Sequence, residues 1–425
     1  MRHSISKTTL ALVASVAMLA GVAGCGRTNS GSSASADEMI TMDSGKATGD
    51  LTVWAMGNEG DQLGGFVKGF EQENPDVKLK VTAIPWASAH DKIQTAIAAG
   101  TVPDVIQMGT TWMADFSNSF SRVPENFDLT DFSEGPLAAG KVDGVQFGVP
   151  WYVDSHVLYY RTDIAAKAGW TKAPRTLDEL KQMATDTKKV DGVKNGLFIA
   201  SSGADTWQGT LWAYYSQGVK LMDAADDNWT LDTPEMKKAT AYIDAFFKDG
   251  ITSTTLDATP GLPIAQFVSG ETPIMTGGPT AISQIAEQGA DVPYATAMIP
   301  KGTSSTSFVG GADFVVPTES KNKQAAWKFI RWMTEPNTQI DWFEQASVLP
   351  SSQQAWSSKT LSGDEKLKAY GEQLKSTMSP PSVSTWAQVS AAGDQIMEQI
   401  HKGQLSVNDG LKKLQTEADS IGTGK

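Results

Sequence analysis

The chain has 425 residues, of which 40% are hydrophobic and 20% charged, a composition typical of a globular protein of about two domains. Its 35 Lys and Arg residues face 48 Asp and Glu residues, and the net charge of −13 disfavours binding to a nucleic-acid backbone. The single Cys excludes an intramolecular disulfide framework, a Cys-rich zinc site and a Cys-ligated iron–sulfur cluster. Since only 4 His residues are present as well, we expect neither a metal nor a cofactor.

Residues 1–24 have the features of an export signal. Arg2 and Lys7 give a positive start, and residues 10–20 form an apolar run that is too short for a membrane span. Small residues then precede Cys25, a pattern that resembles the bacterial lipoprotein signal, in which this Cys is lipidated and becomes the mature N-terminus. The alternative is a plain secretory signal with an incidental Cys. The lipoprotein interpretation is favoured because the only Cys of the chain occupies the required position, and it predicts a protein anchored outside the cytoplasm to the bacterial cell membrane.

A second N-terminal segment, residues 25–49, is rich in Gly, Ser, Thr and Ala. Such a segment cannot offset its own ordering entropy, so it is predicted to be a flexible tether. From residue 50 onward, strand and helix patterns alternate. Strands are predicted at 51–54, 77–81 and 105–106, and helices at 63–70 and 88–99. Their connections are too long for hairpins, and this order predicts a parallel sheet with helices on both faces.

The pattern restarts after Pro150. Thr233-Pro234-Glu235 is a typical helix start ahead of an apolar periodic segment. The predicted strands are 157–160, 274–275, 295–299 and 314–316, and the predicted helices are 177–190, 242–248, 324–333, 340–345, 391–401 and 407–418. No internal repeat of fixed period is visible.

Common catalytic motifs are missing from the sequence. It contains no Gly-x-Ser-x-Gly elbow, no phosphate-binding Gly-x-x-x-x-Gly-Lys-Ser/Thr loop, no Gly-x-Gly-x-x-Gly and no His-Glu-x-x-His. A carboxylate pair for glycoside hydrolysis has no local motif, so this activity stays open at the level of sequence.

Polar residues next to a Trp recur in five predicted loops, at the ends of strands or between the two halves. Ligands of doubly wound sheets bind outside the carboxyl ends of the strands. An indole ring packs on the apolar face of a sugar, while fixed polar groups bind its hydroxyls. Burial in the core is the competing interpretation for any one Trp, but we expect three or more of Trp54, Trp86, Trp112, Trp151 and Trp207 to line a cleft. The polar candidates from these loops are Asn58, Glu59, Thr111, Asp154 and Asp205.

Several short segments carry a family resemblance when they are taken in order. They are Leu51-Thr-Val-Trp54, Phe70-Glu-Gln-Glu-Asn-Pro75, Pro103-Asp-Val-Ile106, Val157-Leu-Tyr-Tyr-Arg161, Pro174-Arg-Thr-Leu-Asp178, Phe267-Val-Ser-Gly-Glu271, Met275-Thr-Gly-Gly-Pro279 and Gln324-Ala-Ala-Trp327. The chain resembles the extracellular solute-binding proteins of carbohydrate ABC importers, the maltose-binding-protein-like group, from about residue 50 to residue 418.

This resemblance implies a two-lobed α/β fold of the periplasmic-binding-protein type. Each lobe is expected to be a mostly parallel sheet flanked by helices, with the ligand cleft between the lobes. The first lobe would take residues 50–153 and 309–355, and the second lobe residues 154–308 and 356–425.

The resemblance also assigns roles to individual residues. Asn58 and Glu59 match the polar pair that follows the first strand, and Asp154 falls where a ligand-binding carboxylate follows the hinge strand. Trp207 falls in the aromatic loop of the second lobe.

Three further residues, Gly278, Gly311 and Trp386, complete the candidate site. Gly278 and Gly311 lie in Gly-rich segments where the backbone is expected to approach a ligand or turn sharply. Close relatives place a stacking Trp after the Gly-Pro pair, whereas Thr280 stands here, so that subsite is expected to differ. Trp386 is expected to replace the missing ring.

The function implied is that of a non-catalytic receptor. It would bind an oligosaccharide, from a disaccharide to a tetrasaccharide, and deliver it to the transmembrane subunits of an ABC permease. A monomer is expected. Two alternatives stay open: a receptor for a non-sugar solute such as a polyamine, which would need an acidic cleft with aromatic faces, and a glycosidase held at the cell surface by the same tether.

Overall fold

The computed structural model describes residues 41–289 and 291–424, so the export signal and Cys25 lie outside the described residues. The first described segment is docked onto the body of the protein. Met42 and Ala47 are buried, and the Asn126 side chain accepts from the Met42 amide and donates to its carbonyl, both at 2.9 Å. The prediction of a flexible tether up to residue 49 is therefore wrong for residues 41–49, because this stretch buries apolar side chains and pairs its backbone groups.

Twelve β-strands form within the described part of the chain. They are β1 (Gly49–Met56), β2 (Val77–Ile84), β3 (Val105–Gly109), β4 (Lys141–Val142), β5 (Val145–Gln146), β6 (Val149–Ser155), β7 (Val157–Arg161), β8 (Ile274–Gly277), β9 (Tyr294–Ala297), β10 (Ser307–Val315), β11 (Leu349–Pro350) and β12 (Thr377–Met378). All seven predicted strands are present; six have boundaries shifted by at most a few residues, and β10 begins seven residues before its predicted start.

Seventeen α-helices lie between and after these strands in the same described residues. They are α1 (Gly57–Phe66), α2 (Lys68–Glu73), α3 (Trp86–Ala99), α4 (Met113–Phe116), α5 (Glu134–Ala139), α6 (Thr162–Lys167), α7 (Leu177–Thr187), α8 (Leu211–Ser216), α9 (Pro234–Lys248), α10 (Leu262–Ser269), α11 (Thr280–Gln288), α12 (Lys323–Thr334), α13 (Pro336–Ala346), α14 (Lys359–Ser362), α15 (Glu365–Gln373), α16 (Trp386–His401) and α17 (Val407–Ile421). The predicted start of α9 is confirmed, because the Thr233 hydroxyl accepts a hydrogen bond from the Met236 amide.

A seven-stranded sheet forms the larger layer of the fold. Its strands run in the order β11-β6-β10-β3-β1-β2, and β12 pairs with the start of β10. The pairs β1–β2 and β1–β3 are parallel, as predicted. Since β10 is antiparallel to both β3 and β6, the strands β1, β2, β3 and β6 all run in one direction and end at the same edge of the sheet.

A separate three-stranded sheet has the order β8-β7-β9. With helices around both sheets, the two-lobed α/β fold class is confirmed. The expectation of a mostly parallel sheet does not hold for this smaller sheet, because β7 pairs antiparallel with both β8 and β9. Hydrophobic patterns predict where strands form but not their relative direction. The lobe boundaries given above stay a prediction.

The chain passes from the large sheet to the small one between β6 and β7, through the single residue His156. The start of β10 lies beside this crossing. The Ser155 hydroxyl donates to the Phe308 carbonyl at 2.9 Å, and the Ser307 hydroxyl donates to the His156 carbonyl at 2.7 Å. These two hydrogen bonds join the start of β10 to the crossing segment at Ser155 and His156.

The segment of β6 itself differs from the prediction of a loop at residues 150–154. β6 is a buried interior strand between β10 and β11. Its sequence Val-Pro-Trp-Tyr-Val-Asp-Ser contains a Pro, a residue that is rare inside a strand. Pro150 lies beside a register irregularity of the β6–β10 pair, where an interior strand tolerates a missing amide donor.

A buried histidine closes helix α16. His401 is 7% exposed, and its ring stacks on Phe247 with 4.2 Å between the ring centroids. Burial lowers the pKa of His401 from 6.5 to about 4, and the Ser201 backbone opposes part of this shift. The unfolded chain takes up this proton near pH 6.5 and the folded chain only near pH 4, so the folded state is destabilised as the pH falls through this window.

We expect His401→Leu to reduce the loss of stability between pH 6.5 and pH 4. The shift corresponds to roughly 3 kcal/mol of unfolding free energy in the wild-type protein. Leu has a similar volume and no proton to take up, so the variant should retain that free energy. Urea unfolding of both proteins, from neutral pH down to pH 4, measures the difference. Equal losses in the two proteins would show that another group causes the acid sensitivity.

Candidate functional site

A cavity of about 280 Å³ lies at the edge where the carboxyl ends of β1, β2 and β6 meet. It is near the lower end of the ~300–1,000 Å³ range of ligand pockets. Its lining comes from the large sheet, from segments beside that sheet and from the residues that follow β8 of the small sheet: Glu59, Trp86, Tyr152, Val153, Asp154, Pro279, Thr280, Gly311 and Val348.

The end of β1 places Glu59 in the cavity wall. The Met56 amide donates to the buried Gln107 side chain on β3 at 2.6 Å, which fixes the last residue of the strand. Gly57 then has φ +56°, and a Cβ there would lie 2.7 Å from the indole ring of Trp86. A glycine is therefore required at this turn, both for the backbone angle and for the close approach of the Trp86 ring.

Glu59 is a partly buried carboxylate. Burial raises its pKa, and the nearby charge of Asp154 raises it further. Hydrogen bonds from its own backbone amide, the Tyr152 hydroxyl and the Trp86 indole oppose the shift. The Gln107 amide contacts the same Tyr152 hydroxyl at 3.4 Å. Glu59 is thus held by donors from three directions while it faces the cavity.

Asp154 is the second carboxylate of the cavity, at the end of β6. Burial raises its pKa, and the neighbouring His156 opposes the shift. Burial also lowers the pKa of His156 itself, so this imidazole tends to remain neutral beside Asp154. Among the described residues, Asp154 Oδ1 has no hydrogen-bond partner. This oxygen is covered by the Gly278 backbone, so it is a desolvated acceptor without a donor in the described part of the chain.

The cavity combines two carboxylates, a tyrosine side chain and an indole ring. Its lining contains no Lys, Arg or His. Such a surface suits a ligand with several hydrogen-bond donors and one apolar face. Within residues 41–289 and 291–424, no group of His, Cys, Asp and Glu side chains is arranged to hold a metal ion.

Four of the predicted site residues come together in this cavity: Glu59, Trp86, Asp154 and Gly311. Gly278 adjoins it, because a Cβ at this position would lie 2.4 Å from Asp154 Oδ1. Gly311 has φ +124°, and a Cβ there would lie 2.3 Å from the Tyr152 carbonyl oxygen. At both positions a Cβ atom would collide with a neighbouring atom of β6, so only glycine permits this close approach.

Three other predicted residues do not line the cavity. Asn58 is exposed, and Thr111 and Trp112 are half-buried in the segment after β3. Trp112 packs edge-on against Trp86, with 5.5 Å between the ring centroids. Trp112 therefore supports the position of the ring that does face the cavity.

Three predicted stacking rings are instead core residues, so their assignment to the site is corrected. Trp151, Trp207 and Trp386 are 0%, 1% and 2% exposed. Trp151 stacks on Phe314, with 4.3 Å between the ring centroids. Trp207 packs so tightly on α16 that a Cβ at Gly393 would lie 2.0 Å from its ring.

Contacts near Trp207 account for two other predicted site residues, Trp386 and Asp205. The Trp386 indole donates to the Gln208 side chain at 3.0 Å and stacks on Trp229. Asp205 is exposed, and its amide donates to Asp394 at 2.8 Å. Of the five loop tryptophans, Trp86 alone lines the described cavity, so the expectation of three or more is not met there.

Sequence reasoning missed Tyr152 and Val348, and it treated Thr280 only as a lost stacking position. Tyr152 had a detectable signal. Alternate residues of a strand point to the same face, so Tyr152 follows from Asp154 once residues 149–155 are interpreted as a strand. Val348 had no such signal, because it reaches the cavity through the pairing of β11 with β6.

A larger groove of about 880 Å³ lies elsewhere, between α5 and residues 374–382. None of the predicted site residues lines it. Its charged lining residues have both signs, and it lacks buried carboxylates with raised pKa values. Convergent polar groups and perturbed acids mark the smaller cavity as the better candidate site.

The chain belongs to a family described as bacterial extracellular solute-binding protein, which matches residues 65–369. The fold is similar to that of the sugar-binding protein MalE from Xanthomonas citri. That structure is 25% identical, superposes with a TM-score of 0.83, and is matched over 88% of this chain and 97% of its own.

Two curated relatives are similar over most of their length. The galactooligosaccharide-binding protein of Bacillus subtilis is 22% identical over 85% of this chain and 87% of its own. The maltooligosaccharide ABC transporter solute-binding lipoprotein of Streptococcus pneumoniae is 26% identical over 81% of each chain.

The two classes of tryptophan should respond differently to the same substitution. Trp207→Ala should lower the free energy of unfolding by about 3–5 kcal/mol, because it opens a large void in a closed core. Trp86→Ala should cost clearly less, because that ring is only half-buried and faces a cavity. Chemical denaturation of the two variants gives both values. Equal losses would contradict the assignment of Trp207 to the core and Trp86 to the site.

Proposed function

We propose that the protein is a non-catalytic receptor that binds an oligosaccharide in the cavity between its two lobes and delivers it to the transmembrane subunits of an ABC permease. The observation that carries the proposal is the convergence of Glu59, Tyr152 and Asp154 beside the Trp86 ring. Carboxylates accept hydrogen bonds from sugar hydroxyls, and the indole packs on the C–H face of the ring. The names of the relatives from Bacillus subtilis and Streptococcus pneumoniae support an oligosaccharide ligand.

A second candidate ligand is a polyamine. It is favoured by one observation, the two carboxylates in a cavity whose lining contains no Lys, Arg or His. A cationic amine would bind both carboxylates and pack on the Trp86 ring. Titration with spermidine beside maltotriose, galactotriose and cellobiose separates the two candidates, since only one class should bind at micromolar concentrations. Chromatography of the bound sugar after long incubation tests the absence of turnover, because a glycosidase would release shorter products.

We expect Asp154→Asn to weaken binding of the accepted sugar by roughly 3- to 15-fold, the effect of replacing a charge-assisted hydrogen bond by a neutral one. Asp205→Asn makes the same chemical change at an exposed position with φ +59°, which Asn tolerates. This control should bind as the wild type does. Isothermal titration calorimetry of the three proteins measures the dissociation constants. Unchanged affinity in Asp154→Asn, or equal losses in both variants, would contradict the assignment of the site.

We further propose that the protein is held at the outer face of the cell membrane by a lipid on Cys25 and works as a monomer. Within the part of the chain that the structure describes, no helix has the length and apolar character needed to span a bilayer. The lipoprotein-like signal before Cys25 supports a lipid anchor, as does the description of the Streptococcus pneumoniae relative as a lipoprotein. Residues 41–49, which the sequence pattern assigned to the tether, are docked onto the body of the protein.

Anchoring should depend on this one side chain. We expect Cys25→Ala to release the protein from the membrane fraction, because stable attachment needs acyl chains. Its sugar affinity should equal that of the wild type, because the cavity lies within the described lobes. Fractionation, mass spectrometry of the mature N-terminus and calorimetry provide the three measurements. A variant that stays in the membrane fraction, or a wild-type protein without lipid, would contradict the proposed anchor.

A further inference from the structure

Two tyrosines lie behind the second-lobe wall of the cavity, away from its open space. Tyr159 on β7 and Tyr370 on α15 are both 0% exposed, and their hydroxyl oxygens are 2.6 Å apart. The Tyr159 hydroxyl lies 2.9 Å from the Gly278 carbonyl oxygen, and the Tyr370 hydroxyl lies 2.9 Å from the Gly277 carbonyl oxygen. Two consecutive peptide groups at the end of β8 are therefore held from inside the lobe.

These peptide groups belong to the wall that faces Asp154. Gly278 is followed directly by Pro279 and Thr280, which line the cavity. A Cβ at Gly278 would lie 2.4 Å from Asp154 Oδ1, so the backbone of Gly278 packs directly on this carboxylate. A shift of Gly278 would therefore change both the position of Asp154 and the shape of the cavity beside it.

The number of protons limits how many of these contacts are hydrogen bonds at one time. Burial raises the pKa of both phenols, so each keeps its single proton. Two protons cannot serve the three contacts among two hydroxyls and two carbonyls at once. Either one hydroxyl donates to the other and leaves its own carbonyl without a proton, or both donate to their carbonyls and no proton lies between the two hydroxyl oxygens. Because Tyr159 takes part in the hydroxyl–hydroxyl contact and also reaches Gly278, the state of the pair determines how Gly278 is held.

We propose that Tyr159 is a positioning residue of the binding cavity, which holds Gly278 against Asp154, and that Tyr370 orients the Tyr159 hydroxyl. This inference rests on the proposed function of the cavity. It predicts an asymmetry between two chemically identical changes. Without the Tyr370 hydroxyl, Tyr159 still donates to Gly278. Without the Tyr159 hydroxyl, Gly278 keeps only the weaker bond from the Ala281 amide at 3.2 Å.

The test compares Tyr159→Phe, Tyr370→Phe and a control, Tyr214→Phe. Tyr214 is equally buried in the second-lobe core, where its hydroxyl contacts Thr240 Oγ1 at 3.2 Å. Hydrogen–deuterium exchange of the sugar-free proteins should become faster in peptides covering residues 277–284 for Tyr159→Phe alone. Titration with maltotriose and galactotriose should show binding weakened roughly three- to tenfold in Tyr159→Phe, the factor for one net hydrogen bond. Tyr370→Phe should lose less than about twofold, because the bond to Gly278 persists, and Tyr214→Phe should bind as the wild type does.

The two readouts separate this inference from the proposed function. If the wild-type protein binds no sugar, the proposed function fails, while exchange in the sugar-free proteins still tests the positioning of Gly278. Unchanged exchange at residues 277–284 in Tyr159→Phe would overturn the inference. The same increase in Tyr214→Phe would also overturn it, because the effect would then reflect general loss of stability. Equal effects of Tyr159→Phe and Tyr370→Phe would overturn the assigned asymmetry.

Discussion

The antiparallel pairing of β6 with β10 is the interaction on which the rest of the molecule depends. It runs from the Val309–Ser155 pair to the Phe314–Val149 pair and connects the outer strands of the large sheet to its centre. The same pair supplies Tyr152, Asp154 and Gly311 to the cavity. At its end the chain crosses to the small sheet. One backbone ladder therefore supports the first lobe, carries part of the site and leads into the second lobe.

A buried carboxyl group identifies the binding site only where a cavity lies beside it. Burial raises the pKa of Asp154 and Glu59, and it raises that of Asp313 well above its ordinary value. Asp313 is enclosed instead by backbone, since a Cβ at Gly148 would lie 2.5 Å from its Oδ2. A raised pKa shows that a carboxyl group is desolvated. A neighbouring cavity, in contrast, shows which desolvated groups a ligand can reach.

The tryptophans show why aromatic loops were a weak guide to the site. Trp86 and Trp207 both follow the expected polar–aromatic pattern in the sequence, but one ring faces a cavity and the other fills a core. The difference comes from Gly393, which lies far away in the chain and leaves the space that Trp207 occupies. Local sequence contains the ring but not the distant partner that decides its burial. Four of the predicted residues therefore reach the cavity, and the three core tryptophans do not.

The sequence by itself determined the strand and helix segments and put Glu59 and Trp86 at the ends of β1 and β2, because these depend on local periodicity and on the shared edge of parallel strands. The two-lobed class and the site position of Asp154 came from the family resemblance. Only the tertiary structure decided the antiparallel direction of the small sheet, the docking of residues 41–49 and the pair of tyrosines behind Gly278. These features depend on contacts between residues far apart in the chain, and local hydrophobic patterns do not specify such partners.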